Sequence, residues 1–186
     1  MISKMPRIYT RKGDTGKTHL LAGSVEKTNR NIKCIGQVDQ LNAQIGWLYD
    51  LLQEKGCLSQ DIEESLSLIQ DTLFMIGAQL ADPNHLIKMK RVSNEEVCYL
   101  ENRIDAMTAK LQPLNNFILP RGHCCISACH LARTLCRKVE IACFKLEVEH
   151  EHLGSFLNRL SDYFFTLARY IGYTLNIDDV IWRMSK

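Results

Sequence analysis

The most restrictive feature of the sequence is a set of long segments in which apolar residues recur at steps of three and four. In the first segment these residues fall on one face of a helix: Ile32, Ile35, Val38, Leu41, Ile45 and Leu48. Only four prolines occur, and none lies inside the four longest periodic segments, so these helices are not interrupted. Because no segment shows a convincing strand pattern, the sequence predicts an all-α fold.

Start and stop signals divide the chain into five helices. Gly56 and Pro83 should end the first two, and Ser93 with Glu96 resembles a capping box that starts the third. The predicted ranges are about 30–52, 59–81, 94–109, 122–149 and 153–175, with the fourth helix the longest. A chain of 186 residues without internal repeats is expected to form one domain, with an N-terminal segment over 1–29 and a helical bundle over 30–186.

Composition excludes several classes of partner. The 23 basic and 21 acidic residues give a net charge of +2, which provides no broad electrostatic footprint for duplex nucleic acid or an anionic membrane. Residues 1–10 lack the apolar core of a secretory signal, and no apolar run is long enough to cross a bilayer. We therefore expect a soluble, cytoplasmic protein whose eight cysteines are reduced thiols.

Residues 10–18 combine the chemistry of a polyphosphate-binding loop in nine positions. They hold three cations, two glycines and three threonines; glycines let backbone N–H groups approach an anion, and the cations neutralise it. The segment is not a Walker A motif, because Arg11 stands where that motif needs a glycine. The alternative is a solvated turn near the N-terminus.

Two stripes run along the predicted fourth helix. One stripe repeats at alternating steps of four and three, and its cysteines are interpreted as small core residues: Cys125, Cys129, Ala132, Cys136, Val139 and Cys143. Beside this stripe lies a polar stripe of His130, Arg133, Arg137 and Glu140. On the fifth helix Asn158, Asp162 and Arg169 share a face, and on the first helix Asp39 and Asn42 do so. Arginines one turn apart require an anion nearby, so we interpret the polar stripe as the wall of a site; the alternative is a set of salt bridges between helices.

Four segments resemble the ATP:cob(I)alamin adenosyltransferase family of the propanediol-utilisation type. They occur in family order along the chain: Tyr9–Thr18, Gly36–Asn42, Phe117–Pro120, and Ala132–Glu140 with Phe156–Phe165. The resemblance implies a five-helix bundle that assembles as a homotrimer, with a glycine-bearing N-terminal loop and with active sites between subunits. ATP would lie there, wrapped at its triphosphate by the N-terminal loop.

Segment matching also implies a set of site residues. The ATP contacts would be Thr10, Arg11, Lys12, Gly13, Thr18, Lys27, Arg137, Lys138, Glu140 and Asn158. Asp39 and Arg133 match a pair that forms a salt bridge across the subunit interface, and Phe117 matches an aromatic residue under the corrin ring. Arg137, Asp39, Arg133 and Phe117 are therefore the implied catalytic residues.

The resemblance implies a reaction in which cob(I)alamin attacks the 5′ carbon of ATP, forming adenosylcobalamin and releasing triphosphate. No protein nucleophile is needed, so the protein's part is to align the ribose and stabilise the leaving charge. Mg²⁺ would be held mainly by the ATP phosphates. Phe117 would exclude the lower axial ligand of cobalt and ease its reduction. A corrinoid reductase and a client enzyme that uses the product are the expected partners.

The chain departs from the family pattern at four positions: Gln37, Gln40, Arg121 and Ile141. Ile141 removes one cation from the expected nucleotide wall, and Arg121 adds one near the corrin side, so affinities for the two substrates could change while the chemistry is kept.

Three other functions remain open. Glu147–His152 contains Glu-x-x-His twice, as di-metal helical bundles do, although both copies crowd one helix end. Zinc could be held by a second group of residues, but on one helix they are expected to point to several sides: His123, Cys124, Cys125, Cys129 and His130. A carrier or sensor of adenosylcobalamin gated by ATP would use the same pocket without turnover.

Overall fold

A computed structural model describes residues 8–9, 11–146 and 151–183, and helices account for most of these residues. The predicted bundle of five helices is confirmed. Their bounds are α1 (Arg30–Glu54), α2 (Gln60–Ala81), α3 (Asn94–Thr108), α4 (Cys124–Phe144) and α5 (Leu153–Thr174).

A short β-hairpin precedes the bundle, and the expectation of no strands was wrong for this segment. Strand β1 (Lys17–Leu20) pairs antiparallel with strand β2 (Gly23–Glu26). Each strand has four residues, too few for an alternating pattern to stand out. Gly23 has φ +126°, a conformation open to glycine that permits the tight reversal. The Leu21 N–H donates to Ala81 O at 3.0 Å, so the hairpin is attached to the end of α2.

Helix α4 begins later than the sequence suggested. Gly122 has φ +131°, and His123 is extended, with φ −150° and ψ 154°, so neither residue is helical. His123 is instead the N-cap: its Nδ1 accepts a hydrogen bond from the Cys125 N–H at 3.3 Å. The extended backbone of His123 therefore ends the helix at this side, and its side chain satisfies one of the free N–H groups of the first turn.

Helix α4 also ends earlier than expected, at Phe144. Its 21 residues make it shorter than α1, which has 25, so the prediction that α4 is the longest helix was wrong. A Cβ at Gly154 would come within 3.0 Å of the Phe144 ring, and this glycine lets the first turn of α5 pack closely on the end of α4. The predicted end at Glu149 lies outside the described residues.

The start of α3 confirms the predicted capping box. Ser93 Oγ accepts from the Glu95 N–H at 3.2 Å, and the Ser93 N–H donates to Glu96 Oε2 at 2.9 Å. Lys90 pairs with Glu96 Oε1 at 2.8 Å. Burial opposes ionisation of the Glu96 carboxyl, but the hydrogen bonds from Lys90 and Ser93 outweigh burial and lower its pKa to about 2.

Helix α4 is central: it packs against α1 and α5, while α2 packs on α1 and α3 on α5. Hydrogen bonds between Ser65 and Tyr99, at 3.1 Å, and between Arg103 and Asp61, at 3.2 Å, join α2 to α3. The apolar stripes of all five helices meet in one core. In the part of the chain that the structure describes, no helix has the length and apolar character needed to span a bilayer.

The cysteine stripe of α4 lies in this core, as predicted. Cys125, Cys129, Cys136 and Cys143 are all buried, and burial raises the pKa of the Cys129 and Cys136 thiols well above their usual value. All eight cysteines of the chain are free thiols.

Candidate active site

A cavity of about 780 Å³ opens between α1 and the second half of α4. Among the described residues that line it, none is acidic and five are cations: Arg30, Lys33, Arg137, Lys138 and Lys145. Such a concentration of positive charge is repulsive unless an anion lies among the side chains. The cavity therefore suits a ligand with several negative charges.

The helical repeat explains why these cations converge. Arg30, Lys33 and Gln37 follow one another on α1 at steps of three and four. On α4, Arg137 and Lys138 lie three and four residues after Thr134, so each set lies on one side of its helix. Arg137 and Lys138 were predicted site residues. Sequence reasoning missed Arg30, Lys33 and Lys145, although the spacing of Arg30 and Lys33 was a signal that could have identified them.

Glu140 and Asn158, both predicted ATP contacts, meet between α4 and α5. Asn158 Nδ2 donates to Glu140 Oε1 at 3.1 Å, and Asn158 Oδ1 accepts from Arg159 Nη1 at 2.7 Å. Arg159 Nε in turn donates to Glu101 at 2.8 Å. Neither Glu140 nor Asn158 lines the cavity; they form an ordered polar network beside it.

Several buried polar atoms of α1 and α4 have no hydrogen-bond partner among the described residues. They include Gln37 Oε1, His130 Nδ1 and Arg133 Nε. Unsatisfied buried groups are rare in native proteins, so these atoms indicate a surface that something else completes. Burial, and then the Arg133 charge, lower the pKa of His130, which keeps its ring neutral.

The described residues contain no ion pair between Asp39 and Arg133 within the chain. Asp39 is exposed on α1, and Arg133 is half-buried on α4. A contact between two subunits, which the resemblance implies for this pair, therefore stays a prediction.

The predicted loop residues are grouped around the hairpin. Gly13 packs against Lys27: a Cβ on Gly13 would lie 3.1 Å from Lys27 Nζ. The Lys27 N–H donates to Gly16 O at 2.8 Å, Arg11 lies over the Tyr9 ring, and Thr18 is in β1. Thr10 lies outside the described residues. Arg11, Lys12, Gly13, Thr18 and Lys27 do not line the cavity of their own chain.

Phe117 belongs to an aromatic pair on a separate surface. Its ring is 80% exposed and meets the Trp182 ring edge-on at 6.3 Å. The Trp182 N–H donates to Phe117 O at 2.8 Å, and the Leu119 N–H donates to Val180 O at 2.7 Å. Sequence reasoning missed Trp182, because nothing in the residues after α5 indicates pairing with the 112–120 loop.

Arg169 holds this loop and the C-terminal segment together. Its Nε donates to Asp179 Oδ2 at 2.8 Å, and its Nη2 donates to Gln112 O at 2.9 Å. The sequence had placed Arg169 with Asn158 and Asp162 as one polar face opposite α4. The structure shows that Arg169 instead positions the segments that carry Phe117 and Trp182.

Comparison with known proteins identifies the family of this chain. The family model described as cobalamin adenosyltransferase matches residues 8–171, most of the chain. The chain belongs to the cobalamin adenosyltransferase family. A corrinoid adenosyltransferase of Bacillus subtilis is 39% identical over 183 residues, covering 96% of this chain and 93% of the relative. The human corrinoid adenosyltransferase MMAB is 37% identical over 177 residues, with 90% and 69% covered.

Solved structures of the cobalamin adenosyltransferase family share the fold. A variant of a PduO-type ATP:corrinoid adenosyltransferase from Lactobacillus reuteri, complexed with cobalamin and ATP, has a TM-score of 0.85 and 32% identity. The alignment covers 97% of this chain and 98% of that one. A second variant of that enzyme, complexed with ATP, has a TM-score of 0.82 and 33% identity.

Two of the four departures from the family pattern line the cavity. Gln37 contributes its unpaired amide oxygen, and Ile141 is 54% exposed at the cavity wall. The other two, Gln40 and Arg121, are exposed outside it. The cavity therefore differs from the family pattern in its polar detail.

Proposed function

We propose that this protein transfers the 5′-deoxyadenosyl group of ATP to cob(I)alamin, forming adenosylcobalamin and releasing triphosphate. The observation that carries the proposal is the cavity with five cations and no acidic lining residue, in a family whose Lactobacillus reuteri relative was solved with cobalamin and ATP.

The cavity cations would act on the leaving triphosphate. Cob(I)alamin is a strong nucleophile, and attack at the 5′ carbon breaks the bond to the triphosphate oxygen, so negative charge grows on that oxygen. Arg137 and Lys138 are on one turn of a rigid helix and can stabilise this charge without rearranging. Mg²⁺ bound by the phosphates would neutralise part of the remainder.

A second copy of the chain would complete the site. The loop residues Arg11, Lys12 and Lys27 do not line their own cavity, while Arg133 and Gln37 leave buried polar atoms unpaired. Both observations fit an assembly in which the hairpin of one subunit covers the α1–α4 cavity of the next. A homotrimer, with Asp39 reaching Arg133 across the interface, is the arrangement that we propose.

The corrin would lie against the exposed ring of Phe117. An apolar side chain in that position cannot ligate cobalt, and it takes the space of a lower axial ligand. Loss of that ligand makes cobalt(II) easier to reduce. Trp182 packs edge-on against Phe117 and would keep its ring in place.

The test is turnover with chemically reduced corrinoid. We expect anaerobic incubation with cob(I)alamin, ATP and Mg²⁺ to consume the cob(I)alamin absorption and to yield adenosylcobalamin and inorganic triphosphate over many cycles. If ATP and the corrinoid bind but no cobalt–carbon bond forms, the protein is a carrier or sensor and the proposal is wrong.

A further inference from the structure

Three thiols and an imidazole meet where α1 ends and α4 begins. A ring nitrogen of His123 and the sulfurs of Cys124 and Cys125 all lie within 4.8 Å of one another. Cys57, which follows Gly56 in the loop after α1, lies outside this 4.8 Å group but close enough to interact electrostatically with the Cys125 thiol. The adenosyl transfer proposed above uses none of these four side chains.

This convergence corrects the expectation that the histidine and cysteines near the start of α4 point to several sides. That expectation holds for Cys129, which is in the core, and for His130, whose ring packs on Phe165 at 6.0 Å. It fails for His123, because this residue precedes the helix with an extended backbone and its ring folds back over the first turn. Cys57 lies in the loop between α1 and α2, so no local spacing could reveal it.

The spacing of the ligand atoms is close to that of a tetrahedral zinc site. Zinc–sulfur bonds of about 2.3 Å and zinc–nitrogen bonds of about 2.0 Å place neighbouring ligand atoms roughly 3.5–3.8 Å apart. The Cys124 sulfur lies 3.9 Å from each ring nitrogen of His123. A small rotation of the exposed Cys124 side chain would therefore bring both to bonding distance of one ion, with the His123 ring giving up the hydrogen bond that its Nδ1 accepts from the Cys125 N–H.

Access and charge also suit a metal ion. Cys57 and His123 are half-buried and Cys124 is exposed, while Cys125 is buried, so the group is open to solvent on one side. Three thiolates, one neutral imidazole and Zn²⁺ carry a net charge of −1. The Lys55 ammonium, which interacts electrostatically with Cys124 and Cys125, would offset that charge.

Protons would leave when the ion binds. A cysteine binds Zn²⁺ as its thiolate, so the ion has to displace the protons of the thiols that bind it.

We propose that Cys57, His123, Cys124 and Cys125 bind one Zn²⁺ ion in a closed structural site. Soft thiolate and imidazole ligands in a set of four favour zinc over calcium or magnesium. The ion would join the end of α1 to the start of α4 and would fix the end of the loop that carries Phe117.

Cobalt(II) substitution tests the proposal on the full chain, reduced with a phosphine that does not bind the metal. We expect one equivalent of Co²⁺ to produce an intense thiolate-to-cobalt charge-transfer band, which one equivalent of Zn²⁺ removes. Cys57→Ser and Cys124→Ser should each lower the band by about a third, since one of three thiolates is lost. Each should weaken zinc binding by more than the roughly 10–100-fold that loss of an outer partner costs.

Cys98→Ser is the matched control, because it removes an exposed thiol on α3 and should change neither the band nor the affinity. Circular dichroism of each variant checks that it is folded. The proposal is overturned if no charge-transfer band appears, or if the band is unchanged in Cys57→Ser and Cys124→Ser. A Cys57–Cys124 or Cys57–Cys125 disulfide in protein that binds no Zn²⁺ would also overturn it and would identify a redox pair. The metal titration does not depend on adenosyl transfer, so the two proposals can fail separately.

Discussion

The two sides of the proposed active site, one for the nucleotide and one for the corrin, are built in different ways. The nucleotide side is a cavity between two long helices, and its cations stand at fixed helical steps on α1 and α4. The corrin side is formed by a loop and a C-terminal segment, where Phe117 is 80% exposed and backbone hydrogen bonds hold it beside Trp182.

The difference reflects what each side has to do. Stabilising a charge that develops during the reaction requires donors in fixed positions, and a helix packed in the core provides them. Covering one face of a large flat ring requires apolar area at the right height, and a loop held at a few points can supply it. We therefore expect substitutions on the nucleotide side to have the larger effect on turnover.

The largest effect is expected for Arg137→Ala. Loss of a charge contact to the leaving triphosphate should lower adenosylcobalamin formation by several hundredfold or more. Steady-state assays of cob(I)alamin consumption measure this. Arg103→Ala, which removes a guanidinium that pairs with Asp61 between α2 and α3, is the control and should keep near-normal turnover. Near-normal turnover in Arg137→Ala would contradict the role assigned to the cavity.

A smaller effect, which depends on the form of the substrate, is expected for Phe117→Ala. With cob(II)alamin and a reductant, turnover should fall by about tenfold, or about 1.4 kcal/mol in the activation barrier, because the lower axial ligand can return. With cob(I)alamin prepared in advance, the loss should be smaller. Equal losses in the two assays would mean that Phe117 only positions the corrin. Trp182→Ala should show the same difference in weaker form.

A substitution at Glu96 changes the helical framework at the start of α3 and not either side of the site, so its effect is expected on stability. Its folded pKa of about 2 lies below the unfolded value of about 4.3. The carboxylate therefore stabilises the fold above pH 4.3, and this contribution is lost as the pH falls toward 2. Glu96→Gln should lower the free energy of unfolding at pH 7 by about 1–2 kcal/mol and reduce its decline in acid, as measured by urea denaturation. A stability unchanged at pH 7 would show that the charge of Glu96 contributes nothing, since glutamine can still form the capping box.

The smallest effect is expected for Ile141→Arg on the nucleotide side. A sixth cation at the partly open cavity wall should lower the KM for ATP by a few-fold, since an exposed ion pair contributes only about 0.2–1 kcal/mol. The gain should shrink as salt is raised, and the KM for the corrinoid should not change. Ile141→Gln is the control for polarity without charge. If both variants change the KM equally, charge is not the cause.

Much of the fold could be predicted because packing rules act locally. The 3.6-residue repeat located five helices, and the Ser93–Glu96 capping box marked the start of α3 correctly. The hairpin was missed because strands of four residues carry little pattern. The limits of α4 were misjudged because they depend on the His123 conformation and on the approach of Gly154 to Phe144, which are tertiary features.

In the candidate site, too, the residues that share a local pattern could be predicted and those brought together by folding could not. Arg137 and Lys138 were identified from a stripe on one helix, and the structure places both in the cavity. Arg30 and Lys33 were missed because they were read as the beginning of α1 and not as the opposite wall. Trp182 and Cys57 could not be found, since each meets its partners only after the chain has folded.

Because Gly13 contacts Lys27, the size of the residue at position 13 determines where the Lys27 ammonium group lies. A methyl group on Gly13 would lie close to the end of the Lys27 side chain, 3.1 Å from Nζ, and at an ordinary contact distance of 3.7 Å from Lys17 O. Gly13→Ala would therefore displace the Lys27 ammonium group by a fraction of an ångström while the backbone stays in place. The glycine thus sets how near the charge can approach the loop backbone, and in this segment the absence of a side chain is itself an electrostatic property.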